Sequence, residues 1–162
     1  MTAMSELYKN AKVSYTTDYF KDLKPRTELD GEVQRPGYTL KLNPNTTEAT
    51  FLVVDADNDR HSILVYGNNG HFASDASFEL TFDKPTNYIA LQCFSSSWDY
   101  SRVVIYDKDG NPLHHAPVNF DTTVKYFGPG IHRAVYEGPV EEFELSLNLV
   151  SVTHGLGRLK NV

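Results

Sequence analysis

Cysteine is nearly missing from this chain: Cys93 is the single one among 162 residues. No intrachain disulfide can form, and the paired-cysteine spacing of a structural zinc site is absent. No run of about 18 apolar residues offers a membrane-spanning helix. Met1 to Lys12 has no apolar h-region of a secretory leader. Lysine and arginine form no run, and the formal net charge is −6 with a pI near 5.4. Duplex nucleic acid is bound by a basic face that displaces counterions, so neither nucleic acid nor membrane is expected as a partner. The Gly-x-Ser-x-Gly, P-loop and Rossmann fingerprints are absent too. Six histidines are present, but none has the His-x-His or His-x3-His spacing that aims two imidazoles at one metal from one element.

What the chain has is apolar alternation. Apolar residues make up 40%, with ten Tyr and nine Phe, which excludes a disordered composition and suits pleated surfaces. Phe143, Leu145, Leu147 and Leu149 alternate with Glu142, Glu144, Ser146 and Asn148, the period of a strand with one face on a core. Phe78, Leu80 and Phe82 repeat the pattern, as do Ile89, Leu91 and Cys93; Cys93 thus reads as a small core residue. Further strands are expected at Val13–Tyr19, Tyr38–Leu42, Phe51–Val54, Ser62–Tyr66, Arg102–Tyr106, Val124–Phe127 and Ile131–Tyr136. Asp83-Lys84-Pro85-Thr86 and Gly128-Pro129-Gly130 read as turns between separate strands, and Asp109-Gly110 as a hairpin turn. Asp22 to Pro36 reads as a long loop with room for one short strand. In the last strand the apolar parity slips from Leu149 to Val150 and Val152, which predicts a bulge. The expectation is one all-β domain over residues 1–162, an antiparallel β-sandwich of jelly-roll type with about nine or ten strands.

Few constellations carry chemistry. Asp55, Asp57 and Asp59 open like a calcium loop, but Arg60 stands where an EF-hand needs Gly and Tyr66 where it needs Glu. A structural calcium on these oxygens stays open; no other cofactor is expected. Asp107 and Asp109 fit plain turn geometry. The strongest recognition candidate is the loop Ser95-Ser96-Ser97-Trp98-Asp99-Tyr100-Ser101-Arg102, polar yet holding the only Trp. Sugars stack their apolar ring faces on aromatics while polar groups take the hydroxyls. Trp98 and Tyr100 would stack; Asp99, Arg102, Asn68 and Asn69 would supply hydrogen bonds.

Several pieces in order carry a resemblance: Tyr19-Phe20-Lys21-Asp22-Leu23; Phe78 to Pro85 leading into Ile89-Ala90-Leu91; Val103 to Leu113 with its Asp-Gly hairpin; and Ile131 to Val135. Together they resemble a galactose-binding-like jelly-roll domain of the carbohydrate-binding-module type. The resemblance implies a sandwich and a non-catalytic, lectin-like role on carbohydrate or another polar small molecule, through loops at one end. Such domains are often extracellular, and the sequence leaves the compartment open. Two alternatives stand beside this reading: a protein-interaction subunit of a larger assembly, and a metal-dependent enzyme with converging histidines.

Overall fold

The computed structural model describes residues 14–42, 49–55, 60–67, 77–95, 102–118, 120–137 and 147–157. Among them are eleven strands and no helix: β1 Ser14–Asp18, β2 Glu28–Leu29, β3 Glu32–Arg35, β4 Tyr38–Leu42, β5 Ala49–Asp55, β6 His61–Gly67, β7 Ser77–Ser95, β8 Arg102–Tyr106, β9 Pro112–Pro117, β10 Phe120–Glu137 and β11 Leu147–Leu156. Every pairing is antiparallel.

Two strands, β7 and β10, are long enough to serve both layers of a sandwich. The first part of β7 pairs with β4 and with the second part of β10, and β8 and β9 extend that layer. The second part of β7 pairs with β11 and with the first part of β10, while β6, β5 and β2 extend the other. These layers are called the β8 sheet and the β11 sheet. Their inner faces meet: Phe51 of the β11 sheet lies edge-on to Phe78 of the β8 sheet at 6.3 Å, and Tyr38 of β4 meets His154 of β11 at 5.6 Å. Leu40, Leu80, Ile89, Leu91, Cys93, Ile105 and Tyr136 fill the space between.

The expected antiparallel β-sandwich is present, with a different division of the chain. The Pro85 segment and the Gly128–Gly130 segment do not end strands; each is a corner inside one continuous strand. Register breaks between Phe127 and Ile131 and between Ile131 and Arg133 absorb the bend. These two mergers remove strands, whereas β2 and β3 inside the supposed Asp22–Pro36 loop, and β9, add them. The bulge in the last strand is where the parity slip put it: Leu149 pairs with Cys93, Ser151 with Gln92, and Val150 is the extra residue. Strand β1 inverts the simple alternation rule, since Tyr15 is exposed and Asp18 is buried.

Asp18 is buried because Arg35 meets it. The Arg35 guanidinium donates to both Asp18 oxygens at 2.9 Å, and to Asp22 at 2.7 and 3.0 Å. Tyr38 donates its hydroxyl to Asp18 at 2.7 Å, and the Phe20 amide donates to it at 3.0 Å. Burial opposes the Arg35 charge, but the two carboxylates outweigh it and hold the guanidinium above its ordinary pKa. Burial and the Asp18 charge raise the Tyr38 hydroxyl likewise. Beside this network, His154 donates Nε2–H to the Pro36 carbonyl at 3.1 Å, and its ring packs on Tyr38 and Phe82. Gly37, at φ +84°, leaves the room this ring needs: a Cβ there would stand 2.6 Å from Cε1 of His154.

Two predictions follow from these buried polar groups. Arg35→Ala leaves Asp18 charged and unpaired, and lowers the unfolding free energy in urea by about 3–5 kcal/mol. Asp22→Ala, at an exposed carboxylate, costs under about 1 kcal/mol. Burial lowers the His154 pKa, against weaker opposing effects from Pro36, Asp18 and Asp83. The unfolded chain therefore binds this proton more readily, and stability falls as pH drops below about 6.5. His154→Gln keeps a donor for Pro36 without the titration, so its stability profile between pH 7 and 5 is flatter than that of the parent.

Candidate functional site

On β7 the residues opposite Ile89, Leu91 and Cys93 are Tyr88, Ala90, Gln92 and Phe94, and they face away from the core. Pairing brings others to the same outer face of the β11 sheet. Strand β10 contributes Asp121, Thr123, Lys125 and Phe127; β11 contributes Asn148, Ser151, Thr153 and Gly155; β1 contributes Tyr15 and Thr17. Side-chain contacts confirm the shared face: Thr17 Oγ1 is 2.9 Å from Thr153 Oγ1, Ser151 Oγ donates to Gln92 at 3.3 Å, and Asn148 Nδ2 donates to Ser62 Oγ at 3.2 Å.

One end of this face is aromatic. Tyr15, Gly155, Tyr88 and Phe127 are consecutive across four strands in one register row. The rings of Tyr15 and Tyr88 are 4.8 Å apart, and those of Tyr88 and Phe127 6.2 Å. The row spans about 14 Å at the usual strand spacing. Gly155 holds β1 close, since any Cβ there would run into the Ser14 carbonyl. Asn87, fully buried, pins the chain just beyond: its amide donates to the Gly157 carbonyl and accepts from the Gly157 N–H, both at 2.7 Å.

The other end is a shallow depression of about 530 Å³ lined by Gln92, Phe94, Asp121, Asn148 and Val150. Tyr88 and Phe94 are six positions apart along β7, about 20 Å of extended chain. Tyr15 at 45% exposure, Phe94 at 39% and Phe127 at 42% are three of the four exposed large apolar side chains among the described residues. Between them lie hydroxyls and amides, with Asp121 and Lys125 about 13 Å apart along β10. The face thus pairs ring surfaces with hydrogen-bonding groups. Cys93 points the other way, its thiol pushed up to about 12 by burial.

The outer face of the β8 sheet is different in kind. Ion pairs cross it: Arg102 with Glu137 at 2.6 Å and Arg133 with Glu79 at 3.4 Å, and Arg133 also lies over the Tyr106 ring at 4.9 Å.

Of the six residues singled out from the sequence, Trp98, Asp99, Tyr100, Asn68 and Asn69 lie outside the described residues. Arg102 is described: it opens β8 and its Nε donates to Glu137. The strand ends that lead into the two loops, Gly67 and Ser95, are at the same end of the β11 sheet as Phe94. Asp57 and Asp59 are also outside the described residues, and Asp55 lies 3.9 Å from His61. Among the described residues no group of three or more His, Cys, Asp or Glu is arranged to hold a metal. Asp107 serves its turn, accepting from the Asp109 and Asn111 amides at 2.9 and 2.8 Å, which lowers its pKa. Sequence reasoning passed over the outer face, although aromatics on the water-facing parity of β7 were a readable signal.

No family model and no curated protein matches the chain. Solved structures do. CBM29-2, a family 29 carbohydrate-binding module determined as a variant, superposes with TM-score 0.50 at 8% identity, covering 90% of this chain and 94% of that one. The K2 cleaved adhesin domain of Lys-gingipain superposes with TM-score 0.52 at 10% identity, covering 88% and 99%. The fold is a β-sandwich of the carbohydrate-binding-module kind. At such identities the likeness concerns the fold alone.

Gly155→Ala tests how the aromatic row is assembled. The added methyl must displace the β1 backbone, so amide hydrogen exchange in Ser14–Asp18 speeds up by about tenfold or more while the β7–β10 ladder stays protected.

Proposed function

We propose that this chain is a non-catalytic carbohydrate-binding module that takes an extended polysaccharide along the outer face of the β11 sheet. The observation that carries the reading is the pair of aromatic ends, Tyr15-Tyr88-Phe127 and Phe94, about 20 Å apart across a strip of hydroxyls and amides. A pyranose presents an apolar face and a rim of hydroxyls, and stacking plus lateral hydrogen bonds is the interaction such a strip offers. An open face with separated rings suits a chain of sugars better than a single one, since one sugar cannot reach both ends. The sandwich fold shared with CBM29-2 supports the reading at the level of architecture. Trp98, Asp99, Tyr100, Asn68 and Asn69 would add stacking and hydrogen-bonding groups from the segments that follow Ser95 and Gly67, strand ends at the Phe94 end of the sheet. Arg102, engaged by Glu137, would have a supporting part.

Calorimetry against a panel of neutral plant polysaccharides tests this. Tyr88→Ala and Phe127→Ala should each weaken binding about tenfold or more, the loss expected for an aromatic anchor. Thermal stability should change little for the exposed Phe127. Unchanged affinity in both variants, with loss in Trp98→Ala, would move the site into the loops. If no glycan binds and light scattering gives twice the chain mass, the apolar ends belong to an interface between copies.

A further inference from the structure

We infer that Tyr19, Lys21 and Arg60 form an oxyanion-binding rim beside this face, so that the polysaccharide it takes carries carboxylate or sulfate groups. The inference rests on the carbohydrate reading above and names the class of glycan. Its basis is an unusual meeting of charges in an acidic protein. The Arg60 guanidinium stands 4.4 Å from the centroid of the Tyr19 ring, and Lys21 Nζ stands 5.9 Å from the same centroid. Two cations thus share one ring, and both are exposed. The ion pairs of the described residues engage Arg35, His61, Arg102 and Arg133, and neither Lys21 nor Arg60. Of the described carboxylates close to them in sequence, Asp22 is held by Arg35 and Asp55 lies 3.9 Å from His61. Lys24 and Arg26 add positive charge from the same exposed loop.

The rim is continuous with the face. Tyr19 follows Thr17 at the same outward parity, and its carbonyl accepts from the His61 amide at 3.1 Å. Arg60 precedes Ser62 by two residues, and Ser62 bonds Asn148 in the wall of the depression. A guanidinium drawn to a ring by its charge still has five N–H donors, in a fork that matches a carboxylate or sulfate. The net charge of −6 repels such a group at a distance, but at physiological ionic strength charges more than about 8 Å away are screened, and the nearby cations decide.

The test uses matched polymers that differ only in charge: polygalacturonate against its methyl ester, and a sulfated glucan against the unmodified glucan. In low salt the charged member of at least one pair should bind about five- to tenfold more tightly, an advantage that 0.5 M NaCl removes. The first pair reports carboxylate and the second sulfate. The Arg60→Gln/Lys21→Gln double variant should abolish the advantage and leave the neutral members unchanged, while Tyr88→Ala weakens both members of a pair. Equal affinity within both pairs, or an advantage that survives the double variant, overturns the rim and leaves the sheet face standing. An advantage lost in the double variant but untouched by Tyr88→Ala supports the rim and removes the sheet face as the sugar platform.

Discussion

The ladder between β7 and β10 is the constraint on which the molecule depends. Both strands cross from one sheet to the other, so each sheet is built on the same pair and the two inner faces are fixed relative to each other. Along β7 the buried residues are Phe78, Leu80 and Phe82 before the corner and Ile89, Leu91 and Cys93 after it, a change from even to odd positions. A straight strand could not bury both sets against one core, because successive side chains alternate faces. The corner from Asp83 to Asn87 makes the exchange, and buried Thr86 and Asn87 occupy it with their polar atoms bonded. The same exchange decides what faces outward. It sends Tyr88, Gln92 and Phe94 to the solvent side.

The buried Arg35 network does for β1 what the ladder does for the middle strands. Among the described residues strand β1 has one neighbour, β11, and little apolar surface of its own. Asp18 anchors its end to the β3–β4 hairpin through a fork of hydrogen bonds, and Arg35 also covers the Phe20 ring at 5.5 Å. Phe20 and Arg26, both at positive φ, show how tightly the chain turns after that anchor. Fixing Asp18 fixes its neighbours on both sides: Tyr15 and Thr17 on the sheet face, and Tyr19 at its margin. A buried ion pair contributes little net stability against an apolar alternative. Here its consequence is positional.

Alternation, turn residues and the absence of helical periodicity made the sandwich legible in the sequence, down to the Val150 bulge. The corners were misread for a physical reason. Asp-Lys-Pro-Thr and Gly-Pro-Gly carry the backbone preferences of a bend, and those are the same whether the two flanking segments pair with each other or with something else. Residues 78–82 and 88–94 have no mutual ladder; each pairs with a different part of β10. That information is long-range and leaves no local trace. The outer face of the β11 sheet went unread for another reason. A Trp in a polar loop attracts attention, whereas Phe94 and Tyr88 on the polar parity of a strand look like noise until pairing sets them beside Phe127 and Tyr15. Asp18 stood on the polar parity of the first expected strand and Arg35 in what read as a loop, so nothing local tied the two together.

Exposed aromatics on a sheet face are a hazard as well as a resource, because flat apolar surface invites association. Phe127 lies on a part of β10 that has β7 on one side and no strand on the other among the described residues. Lys125 and Asp121 alternate with Thr123 along that outward row, so the charges interrupt what would otherwise be a continuous apolar edge. Ring surface is concentrated at the two ends of the face and diluted by Thr17, Thr153, Ser151 and Gln92 in between. At Gly155 the missing side chain lets β1 press in, and that backbone approach is what brings the Tyr15 ring within 4.8 Å of Tyr88.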